Sequence, residues 1–256
     1  MASKYFDVTV KPTVKASKQT SAFAVGDVLF DWTPFQIPKG SARLLNTFIT
    51  VRGTDGADQG ALDFELFFAK SIDGNAPATL GDLNDPVDSS GWQNNLIGYQ
   101  MMDHSSNATG SFDDLVYITT YSSGSRGGGP DVVLTGEPNS GDNVGYDTVY
   151  VACITQGTHD FSTAVLARGG TTADDSVAVV ETDDGSNGDP DAELIFVPGD
   201  VLHSATDDVL GTVKSIAAFG SQKQDITFEA AIKATIGDNE EIYNVNPVVL
   251  RFSFER

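Results

Sequence analysis

The sequence predicts an all-β protein: a jelly-roll or β-sandwich domain with a second, small β-barrel-like module inserted before its last strand. Three observations carry this. Apolar and polar residues alternate with a period of two over most of the chain. Clusters of Gly, Pro, Asp, Asn and Ser separate the alternating runs. No segment of about ten residues keeps the 3.6-residue apolar period of a helix.

The first alternating run is Phe6, Val8 and Val10 against Asp7, Thr9 and Lys11. Further strands are expected at Leu44–Arg52, at Leu62–Phe68, at Leu96–Met102, around Leu115–Thr119, at Tyr146–Ile154 and at Phe161–Ala167. The last, Pro247–Arg256, alternates Leu250, Phe252 and Phe254 with Val249, Arg251, Ser253 and Glu255. Asp73-Gly74-Asn75, Asn84-Asp85-Pro86 and Gly127-Gly128-Gly129-Pro130 punctuate these runs as turns and loops. Many short strands between such loops favour a sandwich or jelly roll over a parallel α/β sheet.

The pattern changes near Arg168-Gly169-Gly170. Residues 168–240 hold 15 acidic and four basic side chains, a net of −11, and their strands are shorter. They are expected at Ser176–Val180, Leu194–Val197, Asp200–His203, Gly211–Ile216 and Asp225–Ala230. The simplest division is a sandwich from 1–167 plus 241–256, with a small acidic β module at 168–240. Two sequential domains fit the same pattern. One phrase occurs twice: Phe23-Ala24-Val25-Gly26-Asp27-Val28-Leu29-Phe30 and Phe196-Val197-Pro198-Gly199-Asp200-Val201-Leu202-His203. It reads as shared turn chemistry or as a duplicated module.

Charge bounds the partners. The formal net charge is −21 and the sequence pI about 4.1. Such a surface repels nucleic-acid phosphates and anionic membranes, and it suits a protein that stays soluble in salt water. No apolar run approaches the roughly 20 residues that span a bilayer. Met1-Ala2-Ser3-Lys4-Tyr5-Phe6 carries no apolar segment behind a positive flank, so the expectation is folding in a cytosol. The single Cys153 lies in an apolar run and reads as a small buried hydrophobe.

Catalytic patterns are not found in the sequence. None of His104, His159 and His203 accompanies a nucleophile elbow, and there is no His-Glu-x-x-His, Cys-x-x-Cys or Walker loop. The expectation is a non-enzyme with no resident cofactor. Paired carboxylates of a glycosidase can always be found among 36 acidic residues, so they carry no signal. A Ca²⁺ loop is conceivable at Asp183, Asn187, Asp189 and Asp191, an oxygen-rich run resembling part of an EF-hand loop. It lacks a ligand at Gly185 and at Leu194 and has no flanking helices, and a solvated acidic hairpin loop is the simpler account. The N-terminal arm is the opposite case. Lys4, Lys11, Lys15 and Lys18 are opposed only by Asp7, a basic stretch on an acidic chain and a candidate interaction surface. Lysines on an edge strand also serve to block aggregation.

Several phrases carry a resemblance: Phe23–Phe30, Ile37-Pro38-Lys39-Gly40-Ser41-Ala42-Arg43-Leu44, Leu66-Phe67-Phe68-Ala69-Lys70-Ser71, Pro198–His203 and Asp238–Pro247. The chain resembles virion structural proteins of tailed phages of marine bacteria, especially cyanophages. The resemblance implies a jelly-roll or sandwich protein of the particle, a capsid decoration (cement) component made in the host cytoplasm and located on the capsid surface. Its implied partners are the major capsid protein and copies of itself, a trimer among the options, with no nucleic acid and no membrane. The alternative is a tail, neck or fibre-associated adhesion module that binds carbohydrate.

Overall fold

The computed structural model describes residues 4–52, 63–105, 107–112, 115–120, 132–138, 144–161, 165–167, 172–182, 196–218 and 223–256. The chain is almost wholly β. Its strands are β1 (Tyr5–Val10), β2 (Val28–Pro38), β3 (Ser41–Arg52), β4 (Phe64–Lys70), β5 (Leu96–Met102), β6 (Ala108–Phe112), β7 (Leu115–Thr119), β8 (Val132–Thr135), β9 (Glu137–Pro138) and β10 (Tyr146–Thr155). They continue with β11 (Val165–Ala167), β12 (Val177–Thr182), β13 (Val201–Ser204), β14 (Val209–Ala218), β15 (Lys223–Phe228), β16 (Ile242–Asn244) and β17 (Val248–Glu255). One short helix, α1 (Ala16–Gln19), interrupts the N-terminal arm.

Two antiparallel sheets form the larger body. One runs β1-β17-β3-β7-β6, with β8 also on β3; the other runs β2-β10-β4-β5, with β9 on β10. Take β1, β2, β3, β4, β5, β7, β10 and β17 as strands one to eight. The first sheet then reads one, eight, three, six, and the second two, seven, four, five. That order is the double Greek key of a jelly roll. The first and last strands of the chain lie side by side, Val8 opposite Phe252. The core between the sheets mixes aromatic and aliphatic side chains: Phe30, Phe64, Phe68, Phe252 and Phe254 are fully buried with Leu44, Ile49 and Val51. Burying one such side chain contributes about 1.5–3 kcal/mol, so the alternation of β17 sets its register firmly.

The connection from β10 to β17 carries a third sheet, β11-β12-β15-β14-β13-β16. It curls until its edges meet. Leu166 bridges Glu241, the Ala167 amide donates to the Glu240 carbonyl at 2.9 Å, and the Asn239 amide donates to Ala167 at 2.7 Å. The result is a small barrel filled by aliphatic side chains, among them Leu202, Leu210, Val213, Ile226, Ile236 and Ile242. β11, which the sequence reading attaches to the sandwich, pairs with β12 of this barrel. The acidic run at Asp183–Asp191 lies outside the described residues.

The N-terminal arm runs between the two bodies. Pro12, Val14 and Ala16 are buried, while Lys11, Thr13, Lys15 and Ser17 are exposed. The Val14 amide donates to the Val245 carbonyl at 2.8 Å, and the buried Gln19 side chain donates to Val14 and Asn244 at 2.8 and 2.9 Å. Ala16 packs with Tyr243 and Val245. On the barrel side, Ser17 donates from its amide to Asp207 at 2.9 Å. The Arg52 guanidinium lies 3.4 Å from Asp200.

Candidate functional site: a lysine-rimmed cleft beside Trp32

The period of two along the arm decides what faces outward. With Pro12, Val14 and Ala16 anchored inward, Lys11, Thr13 and Lys15 point to the other side, over β2. Here the arm and β2 enclose a cleft of about 530 Å³. Its lining includes Lys11, Lys15 and Lys18 from the arm and α1, Trp32 from β2, and the carboxylates Asp31 and Asp82. Three of the four lysines of the basic stretch therefore converge. Lys4 does not: it pairs with Glu255 at 2.5 Å on the far edge of the β1–β17 ladder. That contact raises the Lys4 pKa and lowers that of Glu255.

The β2 side is held rigidly. The loop after β4 folds back across the outer face of the second sheet, burying Leu80 against Val28 and Ala152. The Leu80 amide donates to Asp31 Oδ1 at 3.1 Å, and the Val28 amide to the Asp85 carbonyl at 2.9 Å. Trp32 Nε1 donates to the Ala78 carbonyl at 2.8 Å, which fixes the indole plane. Trp92 stands 6.2 Å from it, followed across the face by Phe67 and Tyr99. The cationic side is looser. Lys18 lies 3.6 Å from Asp85, and the charge of Lys11 reaches Asp200 of the barrel. Lys15 has no carboxylate partner among the described residues.

Burial raises the Asp200 pKa even though Arg52, the Val197 amide and Lys11 all favour its ionised form. Asp200 thus joins the turn before β13 to the end of β3, within reach of the charge of Lys11 on the arm.

A second cluster escaped the sequence reading. Asp63, Asp103 and His104 bring three potential ligand atoms within 4.8 Å of one another. The only signal is register: Phe64 faces Met102 across β4 and β5, which sets Asp63 beside Asp103. Asp63 Oδ1 takes both the His104 amide at 2.7 Å and His104 Nδ1 at 2.8 Å, and Asp103 Oδ1 accepts from the Ser105 amide and hydroxyl. These bonds come from within the cluster and from the neighbouring Ser105. The hydrogen bond and charge of Asp63 raise the His104 pKa. His159 is buried, its ring stacked 4.6 Å from Phe64, and burial lowers its pKa. His203, in the barrel, is also lowered by burial. Cys153 is buried in the core, where desolvation pushes its thiol pKa well up.

No family model matches the chain, and no curated protein sequence does. Among solved structures, dimeric latent PorU from Porphyromonas gingivalis is similar at 13% identity and a TM-score of 0.12 over 98% of this chain. The chain spans 20% of the length of that protein, and a likeness of this size carries no argument.

Proposed function

We propose that the chain is a non-catalytic structural component of a virus particle, a decoration or cement protein that binds the major capsid lattice and stabilises it. The observation that carries this reading is the jelly roll with a barrel built into its last inter-strand connection. Jelly rolls recur in viral capsids, and also in lectins and cupins; the inference from fold to role is an analogy, which the phage-like phrases of the sequence reinforce. Two physical features support it. The arm, Arg52 and Asp200 fasten the two bodies, and a cement protein must present preformed surfaces to several subunits at once. The strands β1 and β5 end their sheets, with backbone groups on one side that a neighbouring chain can pair.

Electron cryomicroscopy of purified particles tests the proposal. Stoichiometric density for a jelly roll plus barrel on the capsid surface is the expected result. Particles with no such density would remove the decoration role, and density confined to the tail or neck would move the protein there.

A further inference from the structure

We infer that the cleft between the arm and β2 seats an acidic sugar, a pyranose bearing a carboxylate or sulfate, with its apolar face on Trp32 and its anion among Lys11, Lys15 and Lys18. The inference stands on the cleft and not on the virion reading.

The size fits. About 530 Å³ falls within the range of small-molecule sites, roughly 300–1,000 Å³, and leaves room for a short saccharide. The charge is local and against the trend: three lysines converge on a chain of net −21. Lys15 has no carboxylate partner among the described residues, and the Lys18–Asp85 contact is long and solvated, so an incoming anion displaces little. Exposed ammoniums on flexible stems suit a point-like anion.

Trp32 supplies the second contact. Its Nε1 is already committed to Ala78 and part of its half-buried ring packs on the Val28, Leu80 and Ala152 cluster, so a ligand meets Trp32 through the part of the ring that lines the cleft. An indole face packs against the C–H face of a pyranose as against other apolar surface. Asp31, Asp82, Thr33 and Thr79 also line the cleft and offer oxygen acceptors for hydroxyl groups. The two carboxylates disfavour a polyphosphate or an Asp-rich peptide, each of which crowds further negative charge beside them. A neutral sugar leaves the lysines unused. A single anion on a hydroxyl-rich ring uses every type of group present.

Calorimetric titration of the whole chain tests this with five probes: a galacturonate trimer, a sulfated galactose trimer, neutral galactotriose, inorganic sulfate and an Asp-rich peptide. Binding of at least one acidic trimer is expected, about tenfold or more tighter than galactotriose. The two acidic arms separate carboxylate from sulfate as the preferred anion. The double variant Lys11→Gln/Lys15→Gln, altered only at exposed positions, should weaken that binding by about tenfold or more. Trp32→Ala should weaken it similarly; should that variant fail to fold, Trp32→Phe retains a ring and should weaken it less than the lysine pair does. The inference is overturned if neither acidic trimer binds or if the lysine variant binds as the parent does. Sulfate competing as well as the trimers, or tighter binding of the peptide, overturns it too.

Discussion

The turn at Ala24–Asp27 leads into β2 of the jelly roll, and the turn at Val197–Asp200 leads into β13 of the barrel. The two are built alike. Gly26 and Gly199 have φ of 94° and 95°. Asp27 and Asp200 each accept from the amide three residues back, at 2.7 and 2.9 Å. Each glycine amide donates to a facing strand, to Thr155 and to Val213, both at 2.8 Å. The surroundings differ completely. Among the described strands β2 ladders with β10 alone, whereas β13 lies between β14 and β16. The repeated phrase therefore specifies a turn and says nothing about the module that follows it. The positive φ needs glycine at the third position, and the aspartate locks the turn.

The interiors separate the two bodies further. The jelly roll packs eight phenylalanines among a larger number of Val, Leu and Ile side chains, between strands drawn from both ends of the chain, and the barrel packs two phenylalanines among aliphatic residues, between nearer neighbours in sequence. Phe252 is fully buried, with Phe35 and Phe68 at 5.4 and 5.5 Å between ring centroids. Phe252→Ala should cost the jelly roll about 3–5 kcal/mol. Phe228→Ala, at a site 2% exposed, should cost the barrel a similar amount. Differential scanning calorimetry should show two transitions, each moved by its own substitution. A single transition shifted by both would make the two bodies one cooperative unit.

Smaller effects compare the two turns directly. A Cβ on Gly26 or Gly199 meets nothing within 4 Å, so only backbone strain opposes alanine there. Gly26→Ala and Gly199→Ala should each cost about 1–2 kcal/mol, and by nearly equal amounts in chemical denaturation. The aspartates should differ. Asn in place of Asp27 keeps an acceptor for the Ala24 amide and should cost below about 1 kcal/mol. Asp200→Asn also loses the charge facing Arg52, offset in part by relief of the carboxylate's burial, and about 1–2 kcal/mol is expected. Equal costs for the two aspartates would mean that this relief cancels what Arg52 contributes.

Much of this architecture was legible in the residues. β5 falls at the expected Leu96–Met102, the alternation of β17 follows from period two, and the apolar run around Cys153 reads directly as a buried strand. β2 was not legible as one strand. Pro34 interrupts Phe30–Phe35, and the pairing with β10 shifts register near Cys153. Such a proline is tolerated because β2 is an edge strand, and edge position is a property of the fold. Leu194–Val197 was expected as a strand, but Phe196 and Val197 lead into the Val197–Asp200 turn. α1 is a single turn set by the contacts of Ala16 and Gln19, too short for any periodic signal. At the cleft, the lysines stood out by charge. That Trp32 lines the same cleft depends on the arm lying beside β2, a contact of residues distant in sequence.

The histidines extend the comparison to pH. His159 of the jelly roll and His203 of the barrel both have folded pKa values pushed below the ordinary 6.5 by burial. Above about pH 6.5 each ring is neutral in the folded and unfolded chain alike, and its contribution to stability is fully present. As pH falls below 6.5, the unfolded chain takes up protons that the folded rings resist, so stability declines. The loss should be larger at His159. That ring is wholly buried beside Phe64 and Phe161, with Asp63 partly countering the burial, whereas His203 is only half-buried and Asp207 and Asp208 counter its shift. His104 runs the other way: Asp63 raises its pKa, so its contribution is present below 6.5 and is lost as pH rises through the raised value. His159→Phe keeps the stacking and removes the titration. Melting temperatures measured between pH 5 and 7 should fall less steeply with acid for His159→Phe than for the parent, and His203→Phe should flatten the slope less. An unchanged slope in His159→Phe would place the acid sensitivity outside the jelly-roll core.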